Sequence, residues 1–319
     1  RPIKILVDAL NELGANIIYN QNNGYPPIKI IGKKLENHKI ALAANISSQY
    51  ISALLLIAPQ LEKGLEINLI GKVTSIPYIK MTLQLLQNIG VPLKFYNHKI
   101  IIKPKKNIKD YHHIIESDWS SASYFYSFIA LSPLNTTITI NNFKKNSLQA
   151  DAVVVSIYKN LGVKTIFSEN SITIIKEKNI TKTHLEYDFS NAPDIAQTVA
   201  VSCFGLGISC HFTGLHTLKI KETDRLIALE KELFKLGATI KITDDSLLLL
   251  KSENIKENQT ISTYQDHRMA MSFAPLALKT NIIIENYHVV SKSYPSFWED
   301  FAQITSRNNT IIKKIAHLS

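Results

Sequence analysis

Residues Lys221 to Leu250 read KETDRLIALEKELFKLGATIKITDDSLLLL. Leu226, Ile227, Leu229, Leu233, Phe234 and Leu236 recur at helical spacing and stop at Gly237, which predicts an amphipathic helix closed by a glycine C-terminal signal. Beyond the glycine, Asp244-Asp245 form a turn ahead of Leu247 to Leu250, a hairpin pattern. Lys221-Glu222-Thr223-Asp224-Arg225 then fall in the first helical turn, where backbone N–H groups are unpaired and the helix dipole is positive. That dipole favours Glu222 and Asp224 and disfavours Lys221 and Arg225 by roughly 0.3–1 kcal/mol each. Two cations four residues apart, on one face and against the dipole, suit a bound phosphate or carboxylate. The competing reading is a solvated helix start with internal salt bridges.

The order of helix, glycine and hairpin recurs. Gly14-Ala15, Gly90-Val91, Gly162-Val163 and Gly237-Ala238 follow one another at intervals of about 75 residues, and helix starts at Ser47, Ser120, Pro193 and His267 at about 73. Two interleaved series with one period indicate a repeated supersecondary unit. Each unit opens with a helix apolar nearly all round, and so buried: Ser48 to Leu61, Ser121 to Leu131, Asp194 to Leu206 and Arg268 to Leu278. A strand such as Glu66–Ile70 or Thr137–Ile140 follows, then an amphipathic helix ending at the repeated glycine, then a hairpin turning at Asn97-His98, Glu169-Asn170 or Asp244-Asp245. The expected fold is α/β, two domains of helix-strand-helix-strand-strand units with buried helices and outer mixed sheets. A partial unit spans Pro2 to Gly32, and the final unit ends after its second helix near Ile304. Pro104, Lys105, Lys106 and Asn107 interrupt the pattern, which places the division within Lys103 to Glu116 and gives domains 1–116 and 117–319.

With 319 residues, 45% hydrophobic and 19% charged, the chain can bury two substantial cores. A net charge of +10 favours anionic partners. The lysines are spread along the chain, and no arginine-rich stripe interleaved with aromatics argues for nucleic acid. Cys203 and Cys210 lack CxxC spacing and read as buried free thiols in a reducing compartment; His211 and His112-His113 do not make a metal site. The apolar stretch from Ile195 to Cys210 is too short for the roughly 20 residues a membrane span needs. Without a signal segment, the cytoplasm is the expected location. The chain opens inside a helical pattern at Arg1, so sequence upstream of it is expected.

Aligned, the helix starts are rich in chemistry: Ser47-Ser48-Gln49, Ser75, Ser120-Ser121, Pro193-Asp194, Lys221 to Arg225, Asp266-His267-Arg268 and Lys292. If repeats stack alike, these N-termini share one surface and form an anion-binding floor. Ser47, Ser75 and Ser120 also fit ordinary N-caps, each contributing about 1 kcal/mol, and Pro77, Pro193 and Pro295 suit first turns. Asp194 reads either as a first-turn acid matched to the dipole or as a catalytic carboxylate. Four cations, paired serines and two acids at equivalent ends of repeats together point to a pair of anionic substrates.

Lys221-Glu-Thr-Asp-Arg225, Asp266-His-Arg-Met-Ala-Met271, Ser47-Ser-Gln49 and Ser120-Ser-Ala-Ser-Tyr-Phe125 resemble the signature segments of the 5-enolpyruvylshikimate-3-phosphate synthase family, in order over essentially the whole chain. The resemblance implies two domains of three units each that close on substrates, and six units of roughly 74 residues would total about 440, about 120 more than lie here. It implies transfer of the enolpyruvyl group of phosphoenolpyruvate to the 5-hydroxyl of shikimate 3-phosphate with release of phosphate, a step of chorismate and aromatic amino acid biosynthesis, with no metal or organic cofactor. By the same resemblance Asp194 takes the hydroxyl proton, Glu222 exchanges the methylene proton, and Lys292 assists near the leaving phosphate. Arg1, Arg225, His267, Arg268 and Lys292 fall at positions for phosphoenolpyruvate; Ser47, Ser48, Ser75 and Lys221 fall at positions for shikimate 3-phosphate, with Gln49 bridging both. Thr217 stands where the family commonly has an asparagine touching the shikimate phosphate, and Ser117 replaces a usual glycine in the interdomain crossover. A monomer that binds neither nucleic acid nor membrane is expected, and the chain as it stands should be weakly active or inactive. UDP-N-acetylglucosamine enolpyruvyl transferase shares the architecture and donor, but the two long motifs favour shikimate. A non-catalytic phosphate-binding or nucleic-acid-binding module is the rival of another class; retention of both Asp194 and Glu222 counts against it, since anion binding gains nothing from acids.

Overall fold

The computed structural model describes residues 2–44, 48–71, 73–307 and the backbone of 315–318, which fall into two compact units, Arg1–Ile114 and Ile115–Ser319. Each has its own apolar core. No helix among the described residues is long and apolar enough to cross a membrane.

The first unit begins with helix α1 (Lys4–Glu12) and an antiparallel pair, β1 (Asn16–Tyr19) and β2 (Ile28–Ile31). A complete repeat follows: β3 (Lys39–Ala43), α2 (Ser48–Ile57), β4 (Leu65–Ile70), α3 (Ile76–Asn88), β5 (Leu93–Tyr96) and β6 (Lys99–Ile102). Strand β3 runs parallel to β4, and the β5–β6 hairpin joins β4 antiparallel, giving a mixed sheet in the order β3-β4-β6-β5. Helix α2 stops before Leu61. Its last turn tightens to a 3-10 turn at Ala58–Gln60 because Pro59 has no N–H to continue the α-helical ladder.

In the second unit the repeat appears three times. The first comprises α4 (Trp119–Leu131), β7 (Thr137–Asn141), α5 (Val154–Lys159), β8 (Val163–Phe167) and β9 (Ser171–Lys176), with sheet order β7-β9-β8. The second comprises β10 (His184–Asp188), α6 (Ala196–Gly205), β11 (Ser209–Thr213), α7 (Arg225–Lys235), β12 (Ile240–Ile242) and β13 (Leu247–Leu249), ordered β10-β11-β13-β12. The third comprises β14 (Gln259–Ile261), α8 (His267–Phe273), β15 (Ile282–Glu285), α9 (Phe297–Arg307) and β16 (Ile315–Leu318); here β16 lies parallel beside β15. Helix α8 passes into a 3-10 turn at Ala274–Leu278, where Pro275 repeats the effect of Pro59. The repeated glycines Gly14, Gly90, Gly162 and Gly237 all have positive φ, the left-handed residue with which each amphipathic helix ends.

Helices α4, α6 and α8 are buried on all sides, and they meet through hydroxyls. Ser123, Thr198 and Ser272 occupy equivalent positions of the three units; Ser123 Oγ lies 3.3 Å from Thr198 Oγ1, which lies 3.0 Å from Ser272 Oγ. One turn further, Ser202 Oγ lies 2.8 Å from Ser127 Oγ and 2.7 Å from Tyr158 Oη. Polar groups buried in this way are tolerated because each satisfies another.

Two expected helix starts shift, each for a visible reason, and a third lacks its expected cap. Helix α4 starts at Trp119, since the Asp118 carboxylate caps it by accepting from the N–H groups of Ser120 and Ser121. Helix α7 starts at Arg225, capped by Asp224, which accepts from Leu226 and Ile227 N–H; Lys221, Glu222 and Thr223 precede it in a bend after a 3-10 turn at His216–Ile220. Lys221 and Arg225 are therefore not on one helical face. Ser75 precedes α3 but makes no side-chain cap; its backbone is left-handed, φ +53°. The expected amphipathic face of α7 is also rotated. Arg225, Leu226, Ala228, Leu229, Glu232 and Leu233 are buried, while Ile227 is 42% and Phe234 70% exposed. At the crossover, Ser117 is tied down: its N–H donates to Asn142 O (2.7 Å), its hydroxyl to Asn141 O (3.1 Å), and its carbonyl accepts from Gln149 Nε2 (2.9 Å).

Candidate active site

The starts of α4, α6 and α8 converge in the second unit. Asp194 sits in the 3-10 turn Pro193–Ile195 that leads into α6, and Arg268 is the second residue of α8, so the repeat brings both to one place. The segment 221–225 arrives from the outer helix α7.

Arg225 lies at the centre. Its side chain is 2% exposed, and its guanidinium meets three carboxylates: Nε donates to Asp266 Oδ2 at 2.6 Å, Nη1 to Asp194 Oδ1 at 2.9 Å and Nη2 to Glu222 Oε2 at 2.8 Å. Burying a cation costs several kcal/mol unless it is paired, and here every edge of the fork has an acid. Asp266, wholly buried, also caps α8 by accepting from Arg268 N–H at 2.9 Å. Arg225 thus ties α7 to the starts of α6 and α8.

Above this layer the charges alternate. Asp194 is also approached by Lys221 Nζ at 3.2 Å and Arg268 Nη2 at 3.5 Å. Burial opposes ionisation of Asp194, but Arg268, Lys221 and Arg225 outweigh it and hold the carboxyl well below the usual carboxylate range. Glu222 bridges Arg225 and Lys292, whose Nζ lies 2.7 Å from Glu222 Oε1. Lys292 is the most exposed member of the cluster, at 55%. His267 is buried; burial and the charges of Arg268 and Arg225, opposed by Asp266 and Glu222, lower its imidazole to about 4, so it is neutral at pH 7.

Arg268 also reaches Tyr124 Oη and the carbonyl oxygen of Asp194, each at 3.4 Å from Nη1, and Ser120 Oγ at 3.4 Å from Nη2. The Ser120 hydroxyl in turn donates to Asp151 Oδ2. Asp151 is 1% exposed and its Oδ1 has no hydrogen-bond partner among the described residues. Burial and the charge of Asp194, opposed by Arg268 and the Ser120 hydroxyl, raise its carboxyl to about 6.

Of the residues expected from the sequence, the second unit brings together Asp194, Lys221, Glu222, Arg225, His267, Arg268 and Lys292. Thr217 lies buried on the 3-10 turn leading to Lys221; its Oγ1, like His267 Nδ1, has no hydrogen-bond partner among the described residues. Ser48, the buried first residue of α2, Gln49 and Ser75 belong to the first unit. Arg1 and Ser47 lie outside the described residues. Sequence reasoning missed Asp151 and Tyr124 and gave Asp266 no role, although Asp266 opens a motif already noted. Among the described residues no group of three or more His, Cys, Asp and Glu side chains is placed to hold a metal ion.

The family model for EPSP synthase (3-phosphoshikimate 1-carboxyvinyltransferase) matches residues 1–301. The chain belongs to the EPSP synthase family. A 3-phosphoshikimate 1-carboxyvinyltransferase of Bacteroides fragilis strain YCH46 is 43% identical over 303 residues, covering 94% of this chain and 73% of that protein. The enzyme of the same name from Haemophilus influenzae is 33% identical over 312 residues, covering 97% and 71%. In fold, a solved EPSP synthase from Acinetobacter baumannii superposes with a TM-score of 0.75 over 98% of this chain and 72% of that one, at 21% identity. The repeated α/β architecture is therefore that of EPSP synthases.

Proposed function

We propose that this chain transfers the enolpyruvyl group of phosphoenolpyruvate to the 5-hydroxyl of shikimate 3-phosphate, releasing phosphate, in the cytoplasm and as a monomer. The observation that carries the reading is a pair of carboxylates embedded in cations: Asp194 among Lys221, Arg225 and Arg268, and Glu222 between Arg225 and Lys292. Family membership and the names of the relatives support the substrates.

The chemistry asks for this arrangement. As the hydroxyl oxygen bonds to the enol carbon, it must lose a proton while the methylene carbon gains one, producing a tetrahedral adduct that carries phosphate and carboxylate. Loss of phosphate then restores the double bond and returns the methylene proton. In this reading Asp194 is ionised and accepts the hydroxyl proton. The cations that make it a weak base without ligand are those an anionic substrate would engage, so binding raises its basicity. Glu222 exchanges the methylene proton, and Lys292, ion-paired with it, compensates charge as the phosphate leaves. Arg268, His267, Lys292 and Arg1 contact phosphoenolpyruvate. Arg225, already engaged with three acids, acts on the donor from beneath by fixing Glu222 and Asp194. Lys221, Thr217, Ser47, Ser48 and Ser75 hold shikimate 3-phosphate, and Gln49 contacts both ligands. The Thr217 hydroxyl and His267 Nδ1, without hydrogen-bond partners among the described residues, suit polar ligands.

Phosphate release by the full-length chain, measured with both substrates and with each alone, tests the proposal. Release that requires both, accompanied by the enolpyruvyl ether, is expected. Release without shikimate 3-phosphate, or none with both present, would overturn it.

A further inference from the structure

Helix α7 grips the segment ahead of α8 at two points on one face. At its first residue, Arg225 holds Asp266. Seven residues on, Glu232 accepts hydrogen bonds from the backbone N–H of Ser262 at 3.0 Å and the hydroxyl of Tyr264 at 2.7 Å, and pairs with Lys235 Nζ at 2.7 Å. The Glu232 side chain is wholly buried. A buried carboxylate is costly, and the transfer chemistry makes no use of this one. Between the two grips, Tyr264 and Gln265 are both left-handed, with φ of +53° and +56°. Neither is glycine, and two successive residues of this kind persist only where their surroundings impose them. Immediately after the strained pair come Asp266, His267 and Arg268.

We propose that Glu232 and Tyr264 are positioning residues: the carboxylate–phenol strut holds the left-handed turn at Tyr264-Gln265 and so sets Asp266 and Arg268 for the donor anion. The assignment of phosphoenolpyruvate as that anion rests on the function proposed above. With the strut in place, Asp266 meets both Arg225 and the first turn of α8, and the Arg268 guanidinium reaches Asp194 and Ser120. Without it, the turn relaxes towards right-handed or extended backbone and the start of α8 moves with it.

Tyr264→Phe in the full-length chain removes only the hydroxyl. Calorimetric titration should show phosphoenolpyruvate, in the presence of shikimate 3-phosphate, binding about tenfold more weakly, with shikimate 3-phosphate affinity changed less than twofold. Adding Gln265→Gly should restore most of the loss, because glycine adopts the left-handed conformation without penalty. Unchanged donor affinity, equal loss for both substrates, or no recovery with Gln265→Gly would overturn the proposal; a merely structural hydroxyl would lower the melting temperature without separating the substrates. Amide exchange at residues 262–268, read without substrate, should quicken in Tyr264→Phe and slow again in the double variant. If the unmodified chain binds no phosphoenolpyruvate, the functional reading fails, and exchange alone decides the strut: unaltered exchange refutes it.

Discussion

Asp151→Asn separates the electrostatics of the buried layer from its packing. Asn keeps the shape of Asp151 and still accepts from Ser120, but cannot ionise. In the unfolded chain the Asp151 carboxyl titrates near 3.8, whereas burial and the neighbouring Asp194 raise it to about 6 in the fold. The folded state therefore holds an extra proton between these values, and this group's contribution to stability falls as pH rises through that window. At 1.36 kcal/mol per tenfold change, the loss is about 3 kcal/mol by neutral pH. His267 acts in the opposite sense. Lowered from 6.5 to about 4, it makes the unfolded chain the better proton binder, so its contribution rises with pH over nearly the same range. The two offset each other in the parent chain, and the informative quantity is the difference between variant and parent. Both tryptophans, Trp119 and Trp298, lie in the second unit, so urea unfolding followed by tryptophan fluorescence reports on the right core. From pH 4, where the loss has already begun, to pH 7 the variant should gain about 2 kcal/mol relative to the parent. A difference independent of pH would refute the argument that Asp151 is buried as a carboxylate beside Asp194.

Other outcomes follow from named contacts. Asp266→Asn leaves the Arg225 guanidinium without its closest acid and should cost about 3–5 kcal/mol in the same unfolding experiment. Asp118→Ala removes the α4 cap and should cost about 1 kcal/mol, whereas Ser121→Ala, which leaves the Asp118 carboxylate in place, should cost less. On α7, Leu233→Ala should cost about 2–5 kcal/mol and Phe234→Ser less than about 0.5, reversing the order of side-chain size because only Leu233 is buried.

What could be read in advance depended on range. The repeat was legible because a left-handed helix end demands glycine and because runs apolar nearly all round mark buried helices, which is how Gly162, Gly237 and the buried α4 and α6 are visible in the sequence. The 3-10 endings at Pro59 and Pro275 had a local signal too. Arg225 is different. Its partners Asp194 and Asp266 lie 31 and 41 residues away and become neighbours only when units stack. In the sequence it is a surface-like charge; in the fold it is among the most buried side chains. Glu232 and Phe234 show the same failure from two sides, since the ion pairs turn α7 so that a carboxylate faces inward and a phenylalanine outward. The acids Asp118 and Asp224 displaced helix starts that the apolar pattern placed slightly wrongly, because capping is decided by which carboxylate reaches the free N–H groups. Asp151 stands in the short 3-10 turn Ala150–Val153, just after Gln149, and no spacing rule joins it to Ser120 or Arg268.

The central claim is that Asp194 and Glu222 carry the proton transfers of enolpyruvyl transfer. Phosphate release from phosphoenolpyruvate and shikimate 3-phosphate by full-length Asp194→Ala and Glu222→Ala, each first shown to unfold with the parent's cooperativity, measures it most directly. Each substitution should lower turnover by at least about a hundredfold. Turnover within a few-fold of the parent in both variants would contradict the account.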